Sequence, residues 1–229
     1  MIIAKVRRIS FVDLIFSIPK TIYFNFKILP LSKALKFPFI ISRHIKLHGI
    51  NKKTFIVNFD DLHFASSRIG FEYTVGSFKE LKKGLIAAEN GAIVLNGNVG
   101  LSQGIVLSAK NSKITLGKNF RCNYSSMISS CDDDINIGDD VVLGWNVTIK
   151  SEDGHYLIEK GQIKPKSLPV TIGNHVWICS NSSILKGSRI GNDCVIAYGS
   201  VVSNRTFSAN LLIGGIPAIQ RKDSISWQE

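Results

Sequence analysis

Between Ile172 and Val202 every sixth residue is aliphatic: Ile172, Ile178, Ile184, Ile190, Ile196 and Val202. The same interval links Ile137, Leu143 and Ile149. An amphipathic helix repeats at about 3.6 residues and a strand at about 2, so neither alone produces this period. A hexapeptide beat is the signature of a parallel β-helix, in which short strands wind around a shared core. Two further triplets keep it: Leu95, Leu101 and Leu107, then Leu116, Cys122 and Ile128. Triplets starting at 95, 116 and 137 lie 21 residues apart, which is three hexads plus three residues. That surplus predicts a small insertion at a corner of each coil. From Ile172 to Ile190 the spacing is pure hexads. Three strands per coil predict a triangular cross-section, with coils stacked about 4.8 Å apart.

The residues after each aliphatic position fit tight corners. Ile137-Gly138-Asp139-Asp140, Ile172-Gly173-Asn174-His175 and Ile190-Gly191-Asn192-Asp193 repeat one device. Gly, Asn and Asp tolerate the positive φ that such corners demand. After Ile149 the beat stops. Residues 150–169 are polar, carry Pro165 and Pro169, and read as a loop leaving one corner. Long insertions in compact folds are functional or disordered. Residues 1–50 read as helical or irregular segments broken by Pro19, Pro30 and Pro38. Residues 54–94 alternate apolar and polar positions, as early irregular coils would. Three parts result: an extension at 1–53, a β-helix at 54–206 and a tail at 207–229 that caps the open end, as repeat folds require.

Composition narrows the partners. The chain is 45% hydrophobic and 20% charged, which fits a folded protein. A net charge of +11 favours anionic partners. The basic residues lack the interleaved aromatic platform of single-strand binders, so nucleic acid is not expected. Cys122, Cys131, Cys179 and Cys194 form no CxxC pair and read as reduced, packed thiols of a cytoplasmic protein. The apolar window from Ile9 to Ile28 is interrupted by Asp13, Lys20 and Lys27 and broken by Pro19, which argues against a spanning helix. Two readings of it stand. Residues 1–30 lie on the inner, anionic face of a membrane, or Phe11, Ile15, Phe16, Ile22, Phe24 and Phe26 pack on the domain or on a partner subunit.

Residues 137–220 resemble the left-handed β-helix hexapeptide acyltransferases, in particular the galactoside, maltose and O-antigen or capsule O-acetyltransferases. The resemblance rests on IGDDVVLGWNVTI, SEDGH, PVTIGNHVWICSNSSILKGSRIGNDCVIAYGSVV and GGIPA, in that order. More loosely, PKTIYFNFKILPLSKALKFP resembles the leader of bacterial polysaccharide acetyltransferases. The resemblance implies a left-handed coil, a homotrimer, acetyl-CoA bound between subunits and acetyl transfer to a sugar hydroxyl. No metal is expected.

Acyl transfer to an alcohol needs a general base, and histidine suits neutral pH. His155, in Asp153-Gly154-His155 of the interrupting loop, stands where the family places its catalytic histidine. Read alone, it is a solvated loop histidine. Glu152 and Asp153 are its candidate orienting partners, with a backbone carbonyl as the alternative. His44, His48 and His63 lie outside the repeat, and His175 reads as an exposed corner residue. The resemblance places Asn146 near the acceptor pocket, although a positive-φ corner explains it equally. It places Trp177 in the donor groove and gives the Ser180 N–H to the thioester oxygen. The stretch Ile196-Ala197-Tyr198-Gly199-Ser200-Val201-Val202-Ser203-Asn204-Arg205 departs from the family's IGAGSVVTKD at Ala197, Tyr198 and Asn204. Within it Ala197 and Ser203 are expected against the cofactor, with Arg205, Arg221 and Lys222 as candidates for its phosphates.

The expected activity is therefore acetyl-CoA-dependent O-acetylation of a bacterial surface polysaccharide or its precursor. N-acetylation of an amino-sugar nucleotide and a non-catalytic scaffold are the alternatives. A γ-carbonic-anhydrase-like hydratase needs three histidine ligands, and the repeat region holds only His155 and His175.

Overall fold

The structure is a computed structural model and describes residues 11–71 and 82–228. Among the described residues three sheets wind around one core, with nine strands in the first, eight of them parallel, and seven parallel strands in each of the others. The first sheet runs from Phe39–Ile41 through Val142–Leu143 and Trp177–Ile178 to Leu212–Gly215. Consecutive coils pair in register. Ile137 faces Ile172, which faces Ile190. Leu143 faces Ile178, which faces Ile196, and Ile149 faces Ile184, which faces Val202. Every residue of the six-residue beat is buried, none more than 3% exposed.

The extra residues all fall at one corner. The coils containing Leu107 and Ile128 carry their surplus between the second and third sheets, where Val106–Lys110 and Met127–Cys131 are long strands. Residues 150–169 leave the stack at that same corner, between Thr148–Lys150 and Val170–Ile172. Above them Ser183–Ile184 and Val201–Val202 shorten to two residues, matching the pure hexad spacing.

The stack begins at Phe39, ahead of residue 54, because Phe39–Ile41 and Ile45–His48 already pair with later coils. It continues beyond 206 through Leu212–Gly215 in the first sheet.

The two ends are closed differently. Helix α1 (Phe11–Ile28) runs through Pro19, which does not break it. Pro19 removes one i→i−4 hydrogen bond and sits on the exposed side. The helix lies along the edge of Phe39–Ile41. Asn25 Nδ2 donates to the Phe39 carbonyl at 2.8 Å, and the Phe39 N–H donates to Asn25 Oδ1 at 3.2 Å. Thr21 Oγ1 accepts from the Ile41 N–H at 3.2 Å, and Ser17 Oγ from the Arg43 N–H at 3.0 Å. Four helix residues advance about 6 Å and two strand residues about 6.6 Å, so this polar stripe keeps step with the strand and satisfies an open sheet edge. Below it Phe24 packs edge-on to Phe39 and Phe55, with ring centroids 5.7 and 5.3 Å away. Of the six residues expected to pack, only Phe24 is buried; Phe11, Ile15, Phe16, Ile22 and Phe26 are exposed. Lys5, Arg7 and Arg8 lie outside the described residues.

At the far end Ala218–Lys222 turns back antiparallel on Leu212–Gly215 and covers the last edge of the first sheet. The tail then descends, and Trp227 stacks on His175 at 4.3 Å.

Candidate functional site

Successive coils are locked together at their corners by side chains that cap backbone N–H groups. At the first corner Asp139 Oδ1 accepts from the Lys118 N–H at 2.7 Å, Asn174 Oδ1 from the Asp139 N–H at 2.9 Å and Asn192 Oδ1 from the Asn174 N–H at 2.8 Å. The next residue of each corner has positive φ: Asp140 at 54°, His175 at 54° and Asp193 at 55°. His175 is therefore not a loose exposed residue. Its Nδ1 lies 2.8 Å from Asp193 Oδ1, Trp227 covers its ring, and the Trp227 Nε1–H donates to its carbonyl at 2.9 Å. A cavity of about 420 Å³ beside it is lined by Arg121, Asp140, His175, Ser226, Trp227 and Gln228.

The second corner carries the predicted substrate and donor residues. Asn146 has φ 53°, and its Nδ2 donates to Asn181 Oδ1 at 2.8 Å. Asn181 Nδ2 in turn donates to the Tyr198 hydroxyl. The Trp145 N–H donates to Ser180 Oγ at 2.9 Å. One coil on, this capping position is Tyr198, which points outward and is 70% exposed. The Ser180 N–H consequently has no acceptor among the described residues. An uncapped backbone donor next to exposed Trp145 and Tyr198 is chemically a place for an oxygen that gains charge. Ala197 offers no free backbone there. Its N–H donates to the Ile213 carbonyl at 2.8 Å, and its carbonyl accepts from Ser182 Oγ at 2.9 Å and Ser200 Oγ at 2.6 Å. Its methyl group is what remains for a ligand. Trp177, on the first sheet leading to this corner, is 40% exposed and lies 6.1 Å from Trp227.

The third corner carries the loop and His155. Ile158–Glu159 and Gln162–Ile163 form an antiparallel hairpin. Its two turn residues, Lys160 and Gly161, both have positive φ, at 49° and 76°, as a type I′ turn requires. The loop is tethered at its base. Lys186 Nζ lies 2.6 Å from Asp153 Oδ2 and also donates to the Pro165 carbonyl. Ser167 Oγ donates to Asp133 Oδ2 at 2.7 Å. Glu152 Oε2 accepts from the Gly154 N–H at 2.6 Å and fixes the turn that presents His155. Glu152 and Asp153 thus hold the loop, and neither is hydrogen-bonded to the imidazole. His155 is exposed and has no hydrogen-bond or ion-pair partner among the described residues. Tyr156, Leu157, Ile158 and Ile163 beside it are each more than 60% exposed.

The predicted residues therefore form two groups. Asn146, Ser180 and Ala197 share the second corner. His155, Glu152, Asp153, Ser203 and Arg205 share the third. From Asn146 to Ser151 the strand covers about 16 Å, which sets the two corners apart on one copy. Arg221 is apart from Arg205: its Nε donates to the Gly214 carbonyl at 2.9 Å, next to Ala197 and Ser200. Sequence reasoning missed Lys186, Asn181 and Trp227. Their roles depend on contacts between coils or with the returning tail.

The thiols are poor nucleophiles. Burial pushes Cys122 up to about 12 and also raises Cys179 and Cys194. Among the described residues no three His, Cys, Asp or Glu side chains gather as a metal site would require.

Residues 169–204 match the family model described as "Bacterial transferase hexapeptide (six repeats)". The chain carries the bacterial transferase hexapeptide repeat. It is 38% identical over 110 residues to the galactoside O-acetyltransferase of Escherichia coli (strain K12), an alignment covering 46% of this chain and 52% of that protein. It is 35% identical over 139 residues to an uncharacterised 24.8 kDa protein in the cps region of Klebsiella pneumoniae, covering 60% of this chain and 61% of that one. The chain thus spans about half to three fifths of the length of these curated relatives. The solved structure of the polySia-specific acetyltransferase NeuO superposes with a TM-score of 0.51 at 16% identity, covering 83% of this chain and 79% of that one. The shared fold is the left-handed parallel β-helix.

Proposed function

We propose that the hexapeptide-repeat chain is an acetyl-CoA-dependent O-acetyltransferase that acetylates a sugar hydroxyl of a bacterial surface polysaccharide or its precursor. The observation that carries this reading is His155: an exposed imidazole with no hydrogen-bond or ion-pair partner among the described residues, presented by a loop whose base is tied down by Lys186, Ser167 and Glu152. Its sequence setting is that of the family's catalytic histidine, and the E. coli relative is named an O-acetyltransferase.

The separation of the two corners gives the assembly a reason. His155 of one copy and Ser180 of a neighbour meet at one substrate only if the third corner of the first faces the second corner of the next. Closing that arrangement around a triangular coil gives a homotrimer with three sites. In such a site His155 accepts the proton of the acceptor hydroxyl while the oxygen attacks the thioester carbonyl carbon. The Ser180 N–H stabilises the carbonyl oxygen as it becomes negative. The same imidazolium then returns the proton to the departing sulfur. Asn146 and Asn181, hydrogen-bonded to each other and anchored to the Tyr198 hydroxyl, orient the acceptor. Trp177 and the Ala197 methyl line the donor groove. Arg221, with Ser203 and Arg205 from the facing copy, meets the anionic end of acetyl-CoA. A cytoplasmic setting supplies the donor and keeps the four thiols reduced.

The test is acetyl-CoA turnover against sugars, oligosaccharides and amino-sugar nucleotides, followed as free thiol release, together with CoA binding by calorimetry. Turnover with a hydroxyl acceptor supports the reading. Turnover confined to amino sugars would replace it with N-acetylation. No turnover and no CoA binding would leave a scaffold.

A further inference from the structure

Helix α1 has its amphipathicity inverted. A helix on a soluble domain normally turns its apolar stripe to the core and its polar face to water. Here the inward face carries Ser17, Thr21 and Asn25, used up on the edge of Phe39–Ile41. The outward face is apolar. Phe11, Ile15, Ile18, Ile22 and Phe26 recur at three- and four-residue intervals and are 39–75% exposed. Phe16 and Tyr23 widen the stripe, at 60% and 52% exposed. At 100° per residue the outward face spans about 160°, and it contains no charged residue. Leu31 and Leu35, around the short helix α2 (Leu31–Ala34), are also exposed, at 64% and 60%.

Charge identifies what covers this face. The first 50 residues hold nine of the 28 Lys and Arg but one of the 17 acidic residues, Asp13. Asp13 is already paired with Arg43 at 3.0 Å. Lys27, Lys36 and Lys46 have no carboxylate within ion-pair distance among the described residues. Lys20 and Lys27 lie at the margin of the apolar face. Lys27 reaches over the Tyr23 ring at 4.8 Å, and Lys20 bonds the Arg43 and Ile45 carbonyls. A second copy docked on this face would set two basic surfaces against each other. An anionic bilayer meets both requirements at once: acyl chains for the aromatic and aliphatic stripe, and headgroup charge for the flanking cations. None of the described helices is long and apolar enough to cross a membrane, so the geometry is that of a helix lying in the interface.

We infer that the outward face of α1 seats the protein on an anionic lipid surface, holding the β-helix against the membrane by its N-terminal end. This inference does not depend on acetyl transfer. The polar stripe fixes α1 to the sheet edge, so the face is presented ready formed, without the entropy loss of ordering a free peptide.

Sedimentation of the full chain with extruded vesicles tests it. Vesicles of equal parts phosphatidylglycerol and phosphatidylcholine should carry down most of the protein, and pure phosphatidylcholine little. Ile15→Asp with Ile22→Asp should weaken binding at least ~10-fold, and 0.5 M salt should weaken the unaltered chain by roughly the same factor. Both positions are exposed, so circular dichroism and the melting temperature of the double variant should match the unaltered chain. Binding that ignores the double substitution, or equals that to neutral vesicles, would overturn the inference. So would a double variant that sheds subunits in sedimentation velocity, which would make α1 a contact between copies.

Discussion

Two histidines occupy corners of one β-helix, and the difference between them separates construction from chemistry. His175 sits in an unbroken corner. It takes a positive φ, pairs with Asp193 one coil on and is covered by Trp227. His155 sits where the corner is interrupted. Its loop is tethered, with Asp153 to Lys186 and Glu152 to the Gly154 N–H, while its own ring has no hydrogen-bond or ion-pair partner among the described residues. An imidazole whose Nδ1 is already paired and whose ring face is covered is poorly placed to serve a substrate. One held on a tethered loop with both nitrogens open can.

Substitutions can sharpen or break that division. The largest effect on stability is expected in the stack. Ile178→Ala removes a fully buried residue from a central coil and should lower the unfolding free energy by about 3 kcal/mol, read from the urea midpoint. Ile158→Ala on the exposed hairpin should change it by less than ~0.5 kcal/mol. Equal losses at the two positions would make the hairpin part of the core. Asn174→Ala leaves the Asp139 N–H without its cap and should cost about 1 kcal/mol. A neutral outcome there would mean the corner ladder is decoration on an already stable stack. Lys186→Met should have the smallest global effect, under ~1 kcal/mol because Asp153 is nearly half exposed. It should nevertheless speed protease cleavage within residues 154–163 several-fold, since a tether is lost. Unchanged cleavage would show that Ser167 and the backbone bonds hold the loop without it.

The repeat was legible because one physical demand recurs. Each coil must place an aliphatic residue inward from each face, so Ile172 to Val202 spell the core directly. The spacing of 21 residues also reported the corner insertions, and the structure puts them all at the corner from which the loop at 150–169 grows. Strands with no clean beat were harder to read. Phe39–Ile41 and Ile45–His48 belong to the stack, yet their coil carries α1 and residues 49–54 in place of regular hexads. The orientation of α1 was not legible either. Its sequence shows apolar residues around most of its circumference, and only the pairing of Ser17, Thr21 and Asn25 with a strand edge decides which side faces in. In the site, His155 stood out through the break in period. Lys186, Asn181 and Trp227 did not, because their partners lie 17 to 52 residues away in sequence.

His155 carries the proposed chemistry, and one paired measurement reaches it directly: kcat of His155→Ala and His175→Ala at saturating acetyl-CoA and acceptor, with CoA affinity and oligomeric state measured on the same samples. The interrupted corner should lose at least ~100-fold in kcat with CoA affinity and assembly intact, while the unbroken corner keeps turnover close to that of the unaltered chain. Near-normal turnover in His155→Ala would contradict the assignment of catalysis to the loop.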